Sequence, residues 1–405
     1  MLPKNWSCRP LHEVAEVRTG LAKGKTGLED PIELPYLRVA NVQDGHIDLS
    51  EVKTIAVERR QVERYALKEG DILMTEGGDF DKLGRGAVWT ASIPNCLHQN
   101  HVFSVRVNSD LVMPQFLSAL SGSEYGRSYF LRCAKRSTNL ASINSSQLKA
   151  FPVLLPPLVE QRRIAQILTT WDQAIGATER MLANSEEQKL GLMQRLLTGK
   201  LRLNGHAADW KEYLLGQLFT ERIDANRYDL PLLSITREQG VILRDEVGRK
   251  DTSNEDKSKY LRICPGDIGY NTMRMWQGVS ALSQYEGIIS PAYTVITPGA
   301  LIDGKFASYL FKLPVVVFLF YRHSQGLVSD TWNLKFSHFA KIKIKIPCIQ
   351  EQRFIAEVLD KANQQIEVIQ QQLSALREEK SALMYQLLTG KRRVKLPAIE
   401  TEVQA

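Results

Sequence analysis

Two glycine-flanked loops carry side chains suited to reading a nucleic acid. The first is Glu76-Gly77-Gly78-Asp79-Phe80-Asp81-Lys82-Leu83-Gly84-Arg85-Gly86. Its glycines allow close backbone approach, and Lys82 and Arg85 can reach phosphate or guanine. The second is Tyr270-Asn271-Thr272-Met273-Arg274-Met275-Trp276-Gln277-Gly278. Asn271, Arg274 and Gln277 are the types best suited to bidentate contacts with base edges, and Trp276 stands among them. Each loop follows a Gly-Asp-Ile triplet, Gly70-Asp71-Ile72 or Gly266-Asp267-Ile268, so the two are expected at corresponding positions. A further stretch, Cys96-Leu97-His98-Gln99-Asn100-His101, matches no standard zinc spacing and has no evident fourth ligand. It is expected to be a reading loop, with Gln99 and Asn100 as its polar side chains.

Other motifs fall short of chemistry. Gly20-Leu21-Ala22-Lys23-Gly24-Lys25-Thr26 approximates a phosphate loop, but it is one residue short between the glycines. Glu29-Asp30-Pro31 follows where a helix should start, so a basic surface loop touching DNA phosphate is the expectation. No Asn/Asp-Pro-Pro-aromatic sequence for amino-group methylation stands out, and no carboxylate–lysine nuclease pattern. Catalytic residues, bound cofactor and metal are therefore not expected in this chain. Glu255-Asp256-Lys257 reads as a solvated loop. Lys341, Lys343 and Lys345 alternate along a strand and share a face that is either solvated or DNA-facing.

The bulk properties agree with a basic partner-binding protein. A net charge of +7 over 405 residues favours an anionic partner. The five cysteines form no CxxC pair and suggest reduced thiols in a cytoplasmic setting. The apolar run Val315–Phe320 is far too short to span a bilayer.

The elements that must position these loops are dominated by a repeat. Glu160 to Lys200 and Glu351 to Lys391 align without a gap. Both open on Glu-Gln-Arg and close on Leu-Leu-Thr-Gly-Lys. In the second, Ile355, Leu359, Ala362, Ile366, Ile369, Leu373, Leu376, Lys380, Leu383 and Leu387 alternate by fours and threes. The first carries Ile164, Leu168, Trp171, Ile175, Thr178, Leu182, Ser185, Lys189, Leu192 and Leu196 at the same places. Such a seam buries one helix against another. Forty residues at ~1.5 Å rise give a rod of roughly 60 Å. Pro156 and Pro347 precede the rods, and Gly199 and Gly390 suit their ends. Lys189 and Lys380 lie inside the seam, where they either fix register or snorkel to water.

The rods follow two mixed α+β blocks, residues 1–155 and 206–346. Strand-like runs such as Tyr36–Val42 and Val102–Val107 are punctuated by Gly, Asp and Pro. The blocks echo one another: Trp6 opens one and Trp210 the other, and Leu34-Pro35-Tyr36-Leu37 resembles Leu230-Pro231-Leu232-Leu233. Their middles diverge, as two readers of different targets require. Residues 156–200 and 347–393 are assigned to the rods, and Leu203-Asn204-Gly205-His206 to a polar linker.

Two variable blocks, each followed by a long helix that opens Pro-x-x-x-Glu-Gln-Arg and closes Leu-Leu-Thr-Gly-Lys, resemble a type I restriction–modification specificity subunit. The resemblance covers nearly the whole chain. It implies two target recognition domains, an antiparallel pair of helices as spacer, and a pseudo-twofold molecule without catalytic activity. It further implies two adenine methyltransferase subunits that use S-adenosylmethionine. Restriction subunits would add translocation and cleavage driven by ATP and Mg. An antiparallel repeat matches a bipartite DNA site, with half-site spacing set by the rod. The competing expectation is a coiled-coil scaffold joining two protein-binding domains, which the basic charge and the Asn/Arg/Gln loop oppose. A self-contained nuclease or methyltransferase would need a motif that the sequence does not present.

Overall fold

The computed structural model describes residues 2–23, 27–78, 80, 83–136, 141–202, 208–236, 240–246, 256–327 and 332–396. The expected linker at 203–206 lies outside them, as does Lys82. The chain forms two compact units, one of Met1–Glu179 with Gln371–Ala405 and one of Arg180–Gln370. Each unit therefore takes half of each rod.

The central sheet of unit 1 comprises β1 (Ala15–Thr19), β2 (Ile72–Thr75), β3 (Gly86–Val88) and β4 (Val102–Val107). Their spatial order is β1-β4-β2-β3, all antiparallel. Unit 2 has β5 (Phe219–Glu221), β6 (Ile268–Asn271), β7 (Ser280–Leu282) and β8 (Tyr293–Pro298). Their order is β5-β8-β6-β7, so the two sheets match strand for strand. The units differ in what is added. Unit 1 gains a three-stranded sheet built on Pro31–Leu37 and Lys53–Glu58. The run expected as a strand over Tyr36–Val42 ends its pairing at Leu37 and turns through a short helix at Val39–Asn41. Unit 2 instead has two strand pairs, Leu233–Thr236 with Gly240–Leu243 and Leu261–Ile263 with Gly287–Ile289.

The Gly-Asp-Ile triplet is a turn with a buried salt bridge. Gly70 and Gly266 have φ of +86° and +91°, a conformation that glycine adopts without a Cβ penalty. The following aspartate accepts a backbone N–H from its own turn, Lys68 to Asp71 and Cys264 to Asp267. It also receives an arginine fork, Arg106 on Asp71 and Arg222 on Asp267. Both carboxylates are buried, and the fork satisfies the oxygens that burial would otherwise strand.

Each block enters its rod through an edge strand. Pro152–Leu155 pairs with Ser7–Pro10, and Lys343–Ile346 pairs with Lys211–Leu214. In the second, Ile344 and Ile346 are buried while Lys343 and Lys345 face outward, and Lys343 meets Glu212 at 3.2 Å. The rods are single helices, α1 (Leu158–Leu196) and α2 (Ile349–Leu388). Every residue of both predicted seams is buried or half-buried. The helices pack together. In unit 1, Lys380 pairs with Asp172 and Arg377 with Glu179, so rising numbers on α2 meet falling numbers on α1. Antiparallel packing puts Leu387 and Leu388 in one core with Ile164 and Leu168. In unit 2, Leu196 and Leu197 share a core with Ile355 and Leu359. Lys380 thus reaches an acid on the facing rod. At the repeat position of Asp172 stands Asn363, and Lys189 has no ion pair among the described residues.

The Glu-Gln of each rod start is the joint that fixes a domain to its rod. Gln161 is fully buried; its amide bonds Leu111 O and Pro156 O, and its oxygen accepts Met113 N, each at 2.9 Å. Gln352 repeats this with Leu301 O, Pro347 O and Asp303 N. Glu160 is 1% exposed and is gripped by Nε and Nη2 of Arg393 and by the Trp6 indole. Glu351 is 2% exposed and is gripped by Arg202. Arg202 and Arg393 each lie two residues past Leu-Leu-Thr-Gly-Lys, so the end of one rod closes on the start of the other. The glycine of that motif is the helix cap, with φ of +71° at Gly199 and +72° at Gly390. It also seats the tryptophan: a Cβ on Gly199 would lie 3.3 Å from Trp210, and one on Gly390 would lie 3.4 Å from Trp6.

Candidate nucleic-acid interface

The candidate reading loops leave equivalent strands at the same end of equivalent sheets. In unit 1, Thr75 N bonds Arg85 O and Glu76 N bonds His101 O. In unit 2, Asn271 N bonds Val279 O and Thr272 N bonds Ala292 O. The loop after β2 therefore lies beside the turn before β4, and the loop after β6 beside the turn before β8. Arg85, Gln99 and Asn100 come together at this end in unit 1. Asn271, Arg274, Trp276 and Gln277 do so in unit 2.

In unit 2 the loop is shaped by its own side chains. Asn271 is half-buried, and its Oδ1 accepts Met273 N at 3.0 Å. Trp276 is half-buried, donates its indole N–H to Met273 O at 2.9 Å and meets the Trp332 ring edge-on at 5.2 Å. Gly278 closes the turn at φ +75°. Arg274 and Gln277 are exposed, and Arg274 has no ion pair among the described residues. Asn271 also lines a cleft of about 520 Å³, together with Ser234, Arg244, Asp256, Lys259 and Tyr293. Arg244 reaches Ser234 Oγ at 3.3 Å. Sequence reading missed Arg244 and Lys259, which come from segments that look like ordinary polar loops. No local signal marks them; only the fold brings them to Asn271.

In unit 1 the picture is more enclosed than the sequence suggests. Arg85 is half-buried and its Nε is shut from solvent without a partner among the described residues. The loop glycines answer to the protein's own packing rather than to an approaching ligand. A Cβ on Gly84 would sit 2.3 Å from the Phe130 ring, and one on Gly86 would sit 2.2 Å from Leu73 O. Gln99 and Asn100 are half-buried, their backbone N–H groups bonded to Leu37 O and Leu21 O. Cys96 and His98 are buried and so are not side chains of an open loop. Burial pushes the Cys96 thiol up to about 12 and the His98 imidazole down to about 4, so both are neutral near pH 7. His101 points elsewhere, to Glu76 Oε2 at 2.6 Å. Among the described residues, no group of three His, Cys, Asp or Glu is placed to hold a metal ion. The stretch from Gly20 leads into the strand Pro31–Leu37 rather than a helix. A Cβ on Gly20 would lie 2.1 Å from His98 O, which accounts for that glycine.

Among the described residues no single helix is long and apolar enough to cross a membrane. The joint arginines Arg202 and Arg393 also escaped the sequence reading. Their signal was present, since both fall two residues past the repeat's lysine.

Comparison with known proteins bears on this frame. The family model for the type I restriction modification DNA specificity domain matches residues 3–184 and 209–378. A putative type I restriction enzyme MjaX specificity subunit of Methanocaldococcus jannaschii is 26% identical, covering 97% of this chain and 95% of that one. The EcoKI specificity subunit of Escherichia coli is 24% identical over 49% of this chain and 42% of its own length. Among solved structures, a chain from work on complex assembly and conformational transition of the type I R-M system superposes with a TM-score of 0.60. It is 17% identical and covers 96% of this chain and 98% of that chain. The HsdS subunit from Thermoanaerobacter tengcongensis gives a TM-score of 0.51 at 16% identity, covering 96% and 98%. At these identities the two structures bear on the fold alone.

Proposed function

We infer how this chain works from the family to which it belongs, the DNA specificity subunits of type I restriction–modification systems. It is a non-catalytic subunit, and the family's cofactor-using activities lie in partner subunits. We propose that residues 1–155 and 206–346 are two target recognition domains, with 156–200 and 347–393 as the rods that join them. Each domain reads one half of an asymmetric bipartite site on double-stranded DNA. The rods recruit two adenine methyltransferase subunits, which bring S-adenosylmethionine, and restriction subunits, which bring ATP and Mg. The assembly works in the cytoplasm.

The observation that carries this reading is the pairing of one frame with two different loop sets. The sheets match strand for strand, and the same backbone bonds hold the loops at the same end. Yet the loops carry Arg85, Gln99 and Asn100 in one unit and Asn271, Arg274, Trp276 and Gln277 in the other, with Lys82 in the segment outside the described residues. A fixed frame with variable side chains is what two independent sequence readers require. Phosphate contacts then set position, and base-edge contacts set sequence.

The test is binding to a panel of sites with one half randomised at a time, at two salt concentrations. Arg274→Ala is expected to cost about 1–3 kcal/mol on the cognate site and to relax discrimination only in the half read by unit 2. Lys82→Ala is expected to weaken all sequences alike and to flatten the salt slope by about one unit, as a phosphate contact does. Equal weakening of every site by Arg274→Ala would make that residue a phosphate anchor.

A further inference from the structure

Helix Pro314–His323 of unit 2 turns an apolar face outward. Val315, Phe318 and Tyr321 are 55%, 54% and 42% exposed, while Val316 and Phe320 on the other face are in the core. The helix is bolted to the reading loop. Lys312 Nζ, just before it, donates to Gly278 O at 2.7 Å and Ser280 O at 2.6 Å. A Cβ on Gly278 would lie 3.0 Å from Val317. A line of rings runs from the loop along the helix: Trp276 to Trp332, Trp332 to Tyr321 at 4.9 Å, Tyr321 to Phe318 at 6.0 Å. Exposed Arg322 and Arg274 flank the line.

Charge argues for what covers this face. Lys305 and Lys343 are paired with Asp360 and Glu212, and Lys312 with backbone carbonyls, so the charges that bear on the face are the exposed arginines Arg322, next to Tyr321, and Arg274, two residues from Trp276. An aromatic surface bordered by arginines fits nucleic acid. The counterpart helix of unit 1, Glu124–Cys133, turns Glu124, Arg127, Ser128 and Arg132 outward instead. A protein partner bound alike by both units would need a face common to both, whereas the DNA target differs between them. A bilayer is a poor fit, because a helix of ten residues reaches about 15 Å, roughly half the hydrocarbon core.

Resting on the reading of unit 2 as a DNA-reading domain, we propose that Phe318 and Tyr321 recognise thymine methyl groups in the major groove of its half-site. That groove admits an α-helix, and thymine is the base that presents a methyl there. The Asn271–Gln277 loop supplies polar discrimination, and the helix beside it supplies apolar discrimination.

The experiment uses the full complex with its methyltransferases and a cognate duplex in which deoxyuridine replaces thymidine in the half read by unit 2. Wild type is expected to bind the substituted duplex about fourfold more weakly per contacted methyl. Phe318→Ala and Tyr321→Ala are expected to bind the thymidine duplex more weakly and to lose sensitivity to the substitution. Both side chains are largely exposed, and thermal unfolding of each variant checks that the fold is kept. If deoxyuridine has no effect, or if its effect survives both substitutions, while Arg274→Ala still relaxes that half-site, the proposal fails and the loop reading stands. Release of methyltransferase from Phe318→Ala with unchanged DNA discrimination would make the face a protein surface and overturn the proposal. If Arg274→Ala, Phe318→Ala and Tyr321→Ala all leave that half-site unaffected, the reading of unit 2 falls, and this inference with it.

Discussion

Glu160 and Glu351 show how one residue type joins parts of the chain that lie far apart in sequence. A buried carboxylate is costly unless paired, and each is paired with an arginine fork from beyond the other rod's end. Arg393→Ala is expected to destabilise its unit by about 2 kcal/mol, and Arg202→Ala to destabilise its own in the same direction. The loss at Arg393 is below the value for a fully buried pair, because its guanidinium is 44% exposed and partly screened. Chemical denaturation reads this. Gly199 and Gly390 give a sharper comparison. An alanine at either must hold a left-handed backbone, at about 1 kcal/mol. Gly390→Ala should cost roughly twice as much or more, because its Cβ would also lie 2.4 Å from Pro3. Equal losses at the two positions would mean that contact is relieved at no cost. At this scale the sequence was partly legible. Glu-Gln-Arg was visible as a motif, but not why it recurs, because its partners other than the proline before each rod are 48 to 233 residues away. Arg85 looked exposed in sequence and is half-buried, since nothing local records that Phe130 fills the space beside Gly84.

The rods were the most legible elements. A heptad seam sustained over forty residues leaves few alternatives, and the helices run as the periodicity predicts. The edge strand before the second rod was legible from its alternation, as the outward Lys343 and Lys345 and the buried Ile344 and Ile346 show. The sheets were not, because strand order depends on pairings between β1 and β4 that no window of sequence spans. If the rods measure distance, inserting one heptad into each keeps the seam in phase and lengthens them by about 10 Å. The preferred spacer between half-sites should then grow by up to about three base pairs, at ~3.4 Å each. Methylation of sites with graded spacers checks this, and an unchanged preference would show that the rods do not set the distance.

At the scale of the whole molecule, each unit is completed by a piece of both rods. A chain cut after Ile346 loses α2, and with it Arg393 for Glu160 and the seam that covers Ile164 and Leu168. Such a chain is expected to fail to assemble with two methyltransferase subunits, and the mass of the purified complex reads the outcome. Assembly of both copies by the truncated chain would mean that α1 alone suffices.

The two joints use the same parts. Gln161 and Gln352 make the same three bonds, and Glu160 and Glu351 each receive an arginine from the same repeat position. None of these residues belongs to a reading loop. Substitution of Arg274, Gln277 or their neighbours therefore leaves the bonds of the joint in place. A recombination event with breakpoints at the joints would deliver a whole new reader onto a fitting of unchanged gauge. What the two units hold in common is the mounting, and what differs between them is the set of side chains it carries.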